Sequence, residues 1–167
     1  MRQALLVVTL REIRDGDEEW IFEACQDPEI QRWTRVPRPY QRSHAEEFVA
    51  TRGLAELAVW VVCDDERPIG VIGVHSVDPT TGDAEIGYWV APWGRGRRAT
   101  SMAIEVVATW ASERSDVRAL TAKIAEGNLA SQRCVQRAGF VAAERIVDGC
   151  HDGDRTTTAI LFRLSLG

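Results

Sequence analysis

Two short stretches carry the residue types most able to do chemistry. In residues 92–99, PWGRGRRA, two glycines and three arginines stand directly before an apolar run with helical spacing. The first N–H groups of a helix have no partner within it, and they point where the helix dipole favours negative charge. Arg95, Gly96, Arg97, Arg98, Ala99 and Thr100 therefore make a candidate anion site, and successive N–H groups in such a turn suit a diphosphate. The same residues also fit a plainer arrangement, a glycine-kinked approach to a helix with solvated arginines. The second stretch, residues 126–140, EGNLASQRCVQRAGF, places the Asn128 amide and the Ser131 hydroxyl at the start of another helix. Between residues 83 and 92, strand alternation puts Glu85, Gly87 and Trp89 on one face and Tyr88 with Val90 on the other. Glu85 is a candidate base, and it equally suits a solvated carboxylate paired with a nearby arginine.

These residues need a frame to hold them. Ala4 to Leu10 reads as a first strand, and Asp15 with Glu18 as the start of a helix carrying Trp20, Ile21 and Ala24, which Asp27-Pro28 ends or breaks. A second start signal falls at Ser43 with Glu46, and the intervening QRWTRVPRPYQR reads as a proline-bearing loop. LAVWVVCDD, RPIGVIGVHSVD and DAEIGYWVAP then form an antiparallel meander. Ala99, Met102, Ala103, Val106, Val107 and Trp110 mark a helix from about Gly96 to Arg114 with one buried face. A strand, VRALTAKI, follows, then a helix with Asn128 as N-cap and Gly139 at its end, then a final hairpin turning at GCHDGD. The order β-α-α-β-β-β-α-β-α-β-β predicts an α/β (α+β) fold, a mixed, mostly antiparallel central sheet flanked by helices, as one domain over residues 1–167.

Composition narrows the function classes. A formal charge of -5 argues against a general nucleic-acid binder, since backbone affinity needs a net basic face. Cys25, Cys63, Cys134 and Cys150 are widely spaced with no C-x-x-C pair, which indicates neither a zinc site nor a disulfide framework and suits reduced thiols in the cytoplasm. The apolar run at residues 4–10 is too short to span a membrane. His44 follows a cap serine and is expected to face solvent, while His75 and His151 lie on or beside strands with no identifiable partner, so no metal site is expected. Trp60 and Trp110 read as core.

Taken together, PWGRGRRA and NLASQRCVQRAGF resemble the two cofactor motifs of the GNAT N-acetyltransferases, and most closely the branch named for ribosomal-protein N-terminal acetyltransferases. AEIGYWVAP, DPEIQRW, VPRPY and the element order extend the resemblance along nearly the whole chain. The family's pyrophosphate pattern falls on Trp93, Gly94, Arg95, Gly96, Arg97 and Arg98, with Trp93 where Gln or Arg is usual and Arg98 where Gly or Ala is usual. If position 98 needs positive φ, a non-glycine residue costs about 1 to 2 kcal/mol; alternatively Arg98 is an insertion and Ala99 takes the small-residue slot.

The resemblance implies that coenzyme A phosphates lie against the backbone N–H groups of Arg95 to Thr100. It also implies that the strand splays near Trp89, Val90 and Ala91 to offer backbone groups to the pantetheine, with the Val90 N–H polarising the thioester carbonyl. Asn128 would bond the pantetheine arm, and Ser131 would return a proton to the leaving thiolate. Many family members use a tyrosine about a dozen residues past the asparagine as proton donor; GFVAAERI contains none here. Trp33, Arg35, Arg38 and Tyr40 would line the acceptor groove together with Glu85, although loop aromatics also cover cores. The resemblance further implies acetyl-CoA as acyl donor, an amine acceptor, and a homodimer.

The leading expectation is an acetyl-CoA-dependent N-acetyltransferase acting on a primary amine, of a protein N-terminus, an amino acid or a small molecule, by direct attack in a ternary complex. A non-catalytic acyl-CoA binding or sensing module is the alternative. A nucleotide-phosphate protein is a third reading, opposed by the lack of G-K-[ST] or a complete G-x-G-x-x-G.

Overall fold

The computed structural model describes residues 7–167. One seven-stranded sheet runs in the order β1-β2-β3-β4-β5-β7-β6. Its strands are β1 (Val8–Arg11), β2 (Ala58–Asp64), β3 (Arg67–Val77), β4 (Asp83–Val90), β5 (Ala119–Ala125), β6 (Val141–Asp152) and β7 (Arg155–Ser165). All neighbours are antiparallel except β4 and β5, which run parallel because helix α4 (Ala99–Ser112) crosses between them. The strands and helices follow the expected order with one further helix between β1 and β2, and the sheet is mixed and mostly antiparallel. Residues 4–6 of the predicted first strand lie outside the described residues.

Each sheet face is covered by its own helices. On one side α4 and α5 (Leu129–Arg137) pack Ile104, Val107 and Val135 against Ile72, Val74, Ile86, Leu120 and Phe162. On the other, α1 (Asp17–Ala24) and α3 (Arg42–Thr51) pack Ile21, Ala45 and Val49 against Val61 and Cys63. A fully buried Ile or Val side chain contributes roughly 1.5–3 kcal/mol, so these two layers hold the sheet on which the site is built. Trp60 and Trp110 meet edge to face at 5.0 Å beside the first layer, as expected of core residues. Among the described residues no helix is long and apolar enough to cross a membrane.

Several local expectations are corrected. Asp27-Pro28 does end α1, but it also begins a further helix, α2 (Pro28–Trp33): the Asp27 carboxylate accepts from the Ile30 N–H at 3.0 Å and Pro28 sits in the first turn, where its missing donor costs nothing. Gln31, Arg32 and Trp33 are thus helical rather than loop. Helix α1 starts from Gly16, not Asp15, and α3 starts from Gln41 rather than Ser43. There the ring of His44 accepts from the Gln41 N–H at 3.0 Å, so this histidine is a capping group. The last hairpin turns at residues 153–154, because β6 continues through Asp152.

Candidate active site

Strands β4 and β5 pair only at Asp83–Ala119, Ala84–Leu120 and Glu85–Thr121, and beyond Glu85 they part. On its other edge β4 stays joined to β3, with Trp89 opposite Val71 and Val90 opposite Gly70. The Ala91 N–H donates to Ile69 O at 2.8 Å. Antiparallel ladders alternate, so Trp89 and Ala91 direct their backbone groups to β3, while Tyr88 and Val90 direct theirs into the gap. Of the three residues expected to present backbone there, Val90 faces the gap, and Ala91 is engaged with Ile69.

A cavity of about 510 Å³ opens from this gap toward α4 and is lined by Val90, Gly96, Arg98, Thr100, Asn128 and Ser131, among others. Its floor is the start of α4. Among the described residues no side chain caps that helix, no acidic residue lies in its first turn, and its leading N–H groups have no acceptor. The turn reaches it through Gly96 at φ 79° and Arg98 at φ 60°. A Cβ on Gly96 would meet nothing within 4 Å, so the backbone angle is what calls for glycine. Position 98 does adopt the left-handed conformation, at about 1 to 2 kcal/mol for a non-glycine residue.

The three arginines divide. Arg95 binds Asp27, the N-cap of α2, and Arg97 binds Asp64 at the end of β2. Burial would raise the Asp27 carboxyl, but the Arg95 guanidinium and the Ile30 amide outweigh it and hold it below the usual range. Arg98 is exposed, and its guanidinium makes no hydrogen bond or ion pair among the described residues. Two of the three charges therefore brace the turn against neighbouring elements, and one stands free beside the α4 N-terminus.

Across the cavity Asn128 caps α5, its side chain accepting from the Ser131 N–H at 3.3 Å, and Gly139 closes that helix at φ 94°. The Ser131 hydroxyl lies 2.7 Å from the hydroxyl of Tyr88, which crosses from β4. Burial pushes the Tyr88 phenol well above its ordinary value, only partly offset by the Ser131 contact, so it remains a donor at any neutral pH. Alternation along β4 gives the strand face of Tyr88 but not its role, because its partner is 43 residues away.

A second cavity, about 900 Å³, meets the first at Trp33, Tyr88, Trp89, Asn128 and Ser131 and continues between α3, β3, β4 and β6. Glu85 lines it, with Lys123 Nζ 3.8 Å from its carboxylate rather than an arginine. Trp33 lies at the junction, with its ring edge 3.3 Å from where a Cβ on Gly127 would stand. Arg35 lines the cavity from the exposed loop. Tyr40 is only 7% exposed and belongs chiefly to the second core layer, which also holds Cys25; burial pushes the Cys25 thiol up to about 12. Arg38 turns away from the cavity: it donates to Gln31 O and Gly153 O, each at 2.7 Å. With Arg32–Asp152 and the Gly153 N–H on Arg32 O, it fastens the β6–β7 tip to α2. His75, expected to lack a partner, contacts Glu56 through Nδ1.

A mixed sheet splays beside an uncapped helix N-terminus, and two cavities join at the splay. Residues 8–141 match the acetyltransferase (GNAT) domain, and the chain belongs to that family, whose acyl donor is acetyl-CoA. Over 135 residues it is 30% identical to YdaF of Bacillus subtilis (strain 168), which carries a provisional name as a ribosomal N-acetyltransferase; the match covers 80% of this chain and 69% of YdaF. It is 27% identical over 99 residues to the ribosomal-protein-serine acetyltransferase of Escherichia coli (strain K12), covering 59% of this chain and 51% of that protein. Among solved structures, RimL, the ribosomal L7/L12 α-N-protein acetyltransferase with coenzyme A, superposes with TM-score 0.81 at 16% identity, over 95% of this chain and 94% of that one. The Vibrio cholerae spermidine N-acetyltransferase with coenzyme A and spermine gives 0.78 at 19%, over 95% of each. The fold is therefore shared with enzymes whose acceptors differ.

Proposed function

We propose that this chain transfers the acetyl group of acetyl-CoA to a primary amine by direct attack in a ternary complex. The single observation that carries the reading is the meeting of the two cavities at the splay, where Val90, Asn128, Ser131 and Tyr88 converge. The diphosphate lies on the N–H groups that lead into α4, with Arg98 beside it. The pantetheine passes the Val90 backbone and the Asn128 side chain. The Val90 N–H faces the thioester oxygen and stabilises the charge that develops on it.

The acceptor enters the second cavity. Glu85 faces it, holds the ammonium and takes a proton from the acceptor nitrogen; an α-amine, titrating near 8, needs little help from a base. Departing thiolate is protonated by the Ser131 hydroxyl, itself resupplied by Tyr88 at 2.7 Å. The aromatic surface of Trp33 and Trp89 and the carboxylates of Glu47, Glu56 and Glu85 suit an amine on a partly apolar, cationic carrier such as a protein N-terminus or a polyamine. Both acceptor types occur among the relatives named above.

The reading is tested by thermal unfolding with acetyl-CoA, coenzyme A, ATP and NAD side by side, because a ligand of the native state raises the midpoint by mass action. A rise with both coenzyme A forms and none with ATP or NAD is expected. A rise with ATP or NAD alone would contradict it.

A further inference from the structure

The imidazole of His75 lies in the acceptor cavity at a place that chain geometry has cleared for it. The β3–β4 register shifts between Val74 and Val77, which leaves His75 and Ser76 out of the regular pairing. Opposite, position 87 is glycine. A Cβ there would stand 2.4 Å from His75 Nε2 and 2.8 Å from Cε1, so the ring fills the space that any other residue's side chain would take. By alternation that space belongs to the face bearing Glu85 and Trp89, which is the acceptor face. The other ring nitrogen, Nδ1, is held by the carboxylate of Glu56, from the turn between α3 and β2. A carboxylate on one imidazole nitrogen fixes the tautomer and leaves the other nitrogen as a proton acceptor.

We propose that Glu56 and His75 form a proton-accepting dyad for the acceptor amine, beside Glu85. This rests on the N-acetyltransferase reading. In the step assigned to it, an N–H bond of the acceptor ammonium breaks and an Nε2–H bond forms, leaving a neutral amine. The nitrogen lone pair then attacks the thioester carbonyl. As the adduct collapses the C–S bond breaks, the adduct nitrogen passes its second proton to Glu85, and the thiolate gains one through Ser131 and Tyr88, which is resupplied as Glu85 gives up its own. The imidazolium returns its proton to solvent, to which His75 is open at 45% side-chain exposure. One proton ends on the thiol and one in solution, which balances amide formation from an ammonium.

The two acceptor-side groups divide the work by chemistry. Glu85 already has a cation, Lys123, within 3.8 Å, whereas the imidazole is held by a carboxylate through Nδ1 and keeps Nε2 without a hydrogen-bond partner among the described residues. Other ionisable groups face the same cavity: His44 and Glu47 from α3, Arg35 from the loop after α2, and Cys150 with His151 from β6. None of these shares a hydrogen bond with the His75 ring.

The test is the pH dependence of kcat/KM between pH 5 and 9, with acetyl-CoA saturating and the best amine of a panel of spermidine, ethanolamine and a seryl-initiated peptide. H75Q is expected to lose the acidic limb of the wild-type profile and to drop about 10-fold or more at pH 7, with the KM for acetyl-CoA unchanged. E56Q should lower and shift the limb without abolishing it, and added imidazole should restore part of the H75A rate. A folded H75Q enzyme with the wild-type profile, or an H75A enzyme that imidazole does not help, would overturn the dyad and leave the transferase reading intact. A wild-type protein that binds acetyl-CoA but acetylates none of the amines would overturn both.

Discussion

The hydroxyls of Tyr88 and Ser131 stand 2.7 Å apart across the gap where β4 leaves β5. Tyr88 Oη is also 3.3 Å from the Ser131 carbonyl oxygen, so the phenol is tied to the first turn of α5. This contact joins the strand that presents Val90 to the helix that presents Asn128, and it supplies the region near the thiolate with a second exchangeable proton. Tyr88→Phe should keep the fold and acetyl-CoA binding and lower kcat by roughly 10- to 100-fold. Ser131→Ala should do the same, and the double variant should lose little more than either single one, because the two act as a unit. Stopped or steady-state thiol release would measure this; additive losses would show independent roles.

Position 98 separates stability from affinity. Arg98→Gly relieves a left-handed residue at the start of α4, a gain of about 1 to 2 kcal/mol reduced by about 0.5–1 kcal/mol for the freer unfolded chain. It also removes the one arginine of the turn with no protein carboxylate. The midpoint of unfolding without ligand should rise slightly, while the Kd for coenzyme A weakens. Tighter binding in this variant would mean that Arg98 obstructs the diphosphate.

Asn128→Ala removes the α5 cap, which should cost about 1 kcal/mol, and removes a polar contact for the pantetheine. Calorimetric titration with coenzyme A should show a loss of affinity beyond what the stability change explains. Unchanged affinity would exclude Asn128 from the donor site. Glu85→Gln is expected to reduce turnover with the cofactor Kd preserved, and full activity at neutral pH would remove Glu85 from the acceptor-side chemistry.

Two ends of the pH scale should weaken the fold for different reasons. Burial raises Asp17, but hydrogen bonds from Arg11, the Arg14 amide and Trp20 outweigh it and leave the carboxyl lowered. Its contribution is full above about pH 4 and is lost as pH falls through the depressed value. Asp17→Asn strands the Arg11 guanidinium against a 3% exposed neighbour, and denaturant titration should show a loss of about 3 kcal/mol. At the alkaline end burial holds the Cys25 thiol neutral to about 12 and raises Tyr40 and Tyr88. The folded state then binds more protons than the unfolded one above about pH 9, so stability should fall as pH rises past that point.

Local signals were the most legible part of the chain. Asn128 as a cap, Gly139 as a helix end, and the shared face of Glu85, Gly87 and Trp89 each follow from neighbours within a few residues, and all three are observed. Helix α2 was missed because Asp-Pro serves equally as a stop and as a cap followed by a first-turn proline; the Asp27 to Ile30 bond decides it. The fates of Arg95 and Arg97 were hidden because Asp27 and Asp64 lie 68 and 33 residues away. Tyr88 with Ser131 and Glu56 with His75 are likewise pairs that only the sheet brings together. Gly87 reads as an ordinary strand glycine until the ring above it is seen.

The central claim is direct acetyl transfer between two substrates held together at the splay. Initial rates of thiol release, with acetyl-CoA and the amine varied against each other, test it most directly. Thiol release is expected only when amine is present, with intersecting double-reciprocal lines and one acetylated amine per thiol released. Parallel lines with an acetylated enzyme, or binding of acetyl-CoA with no transfer to any amine, would contradict it.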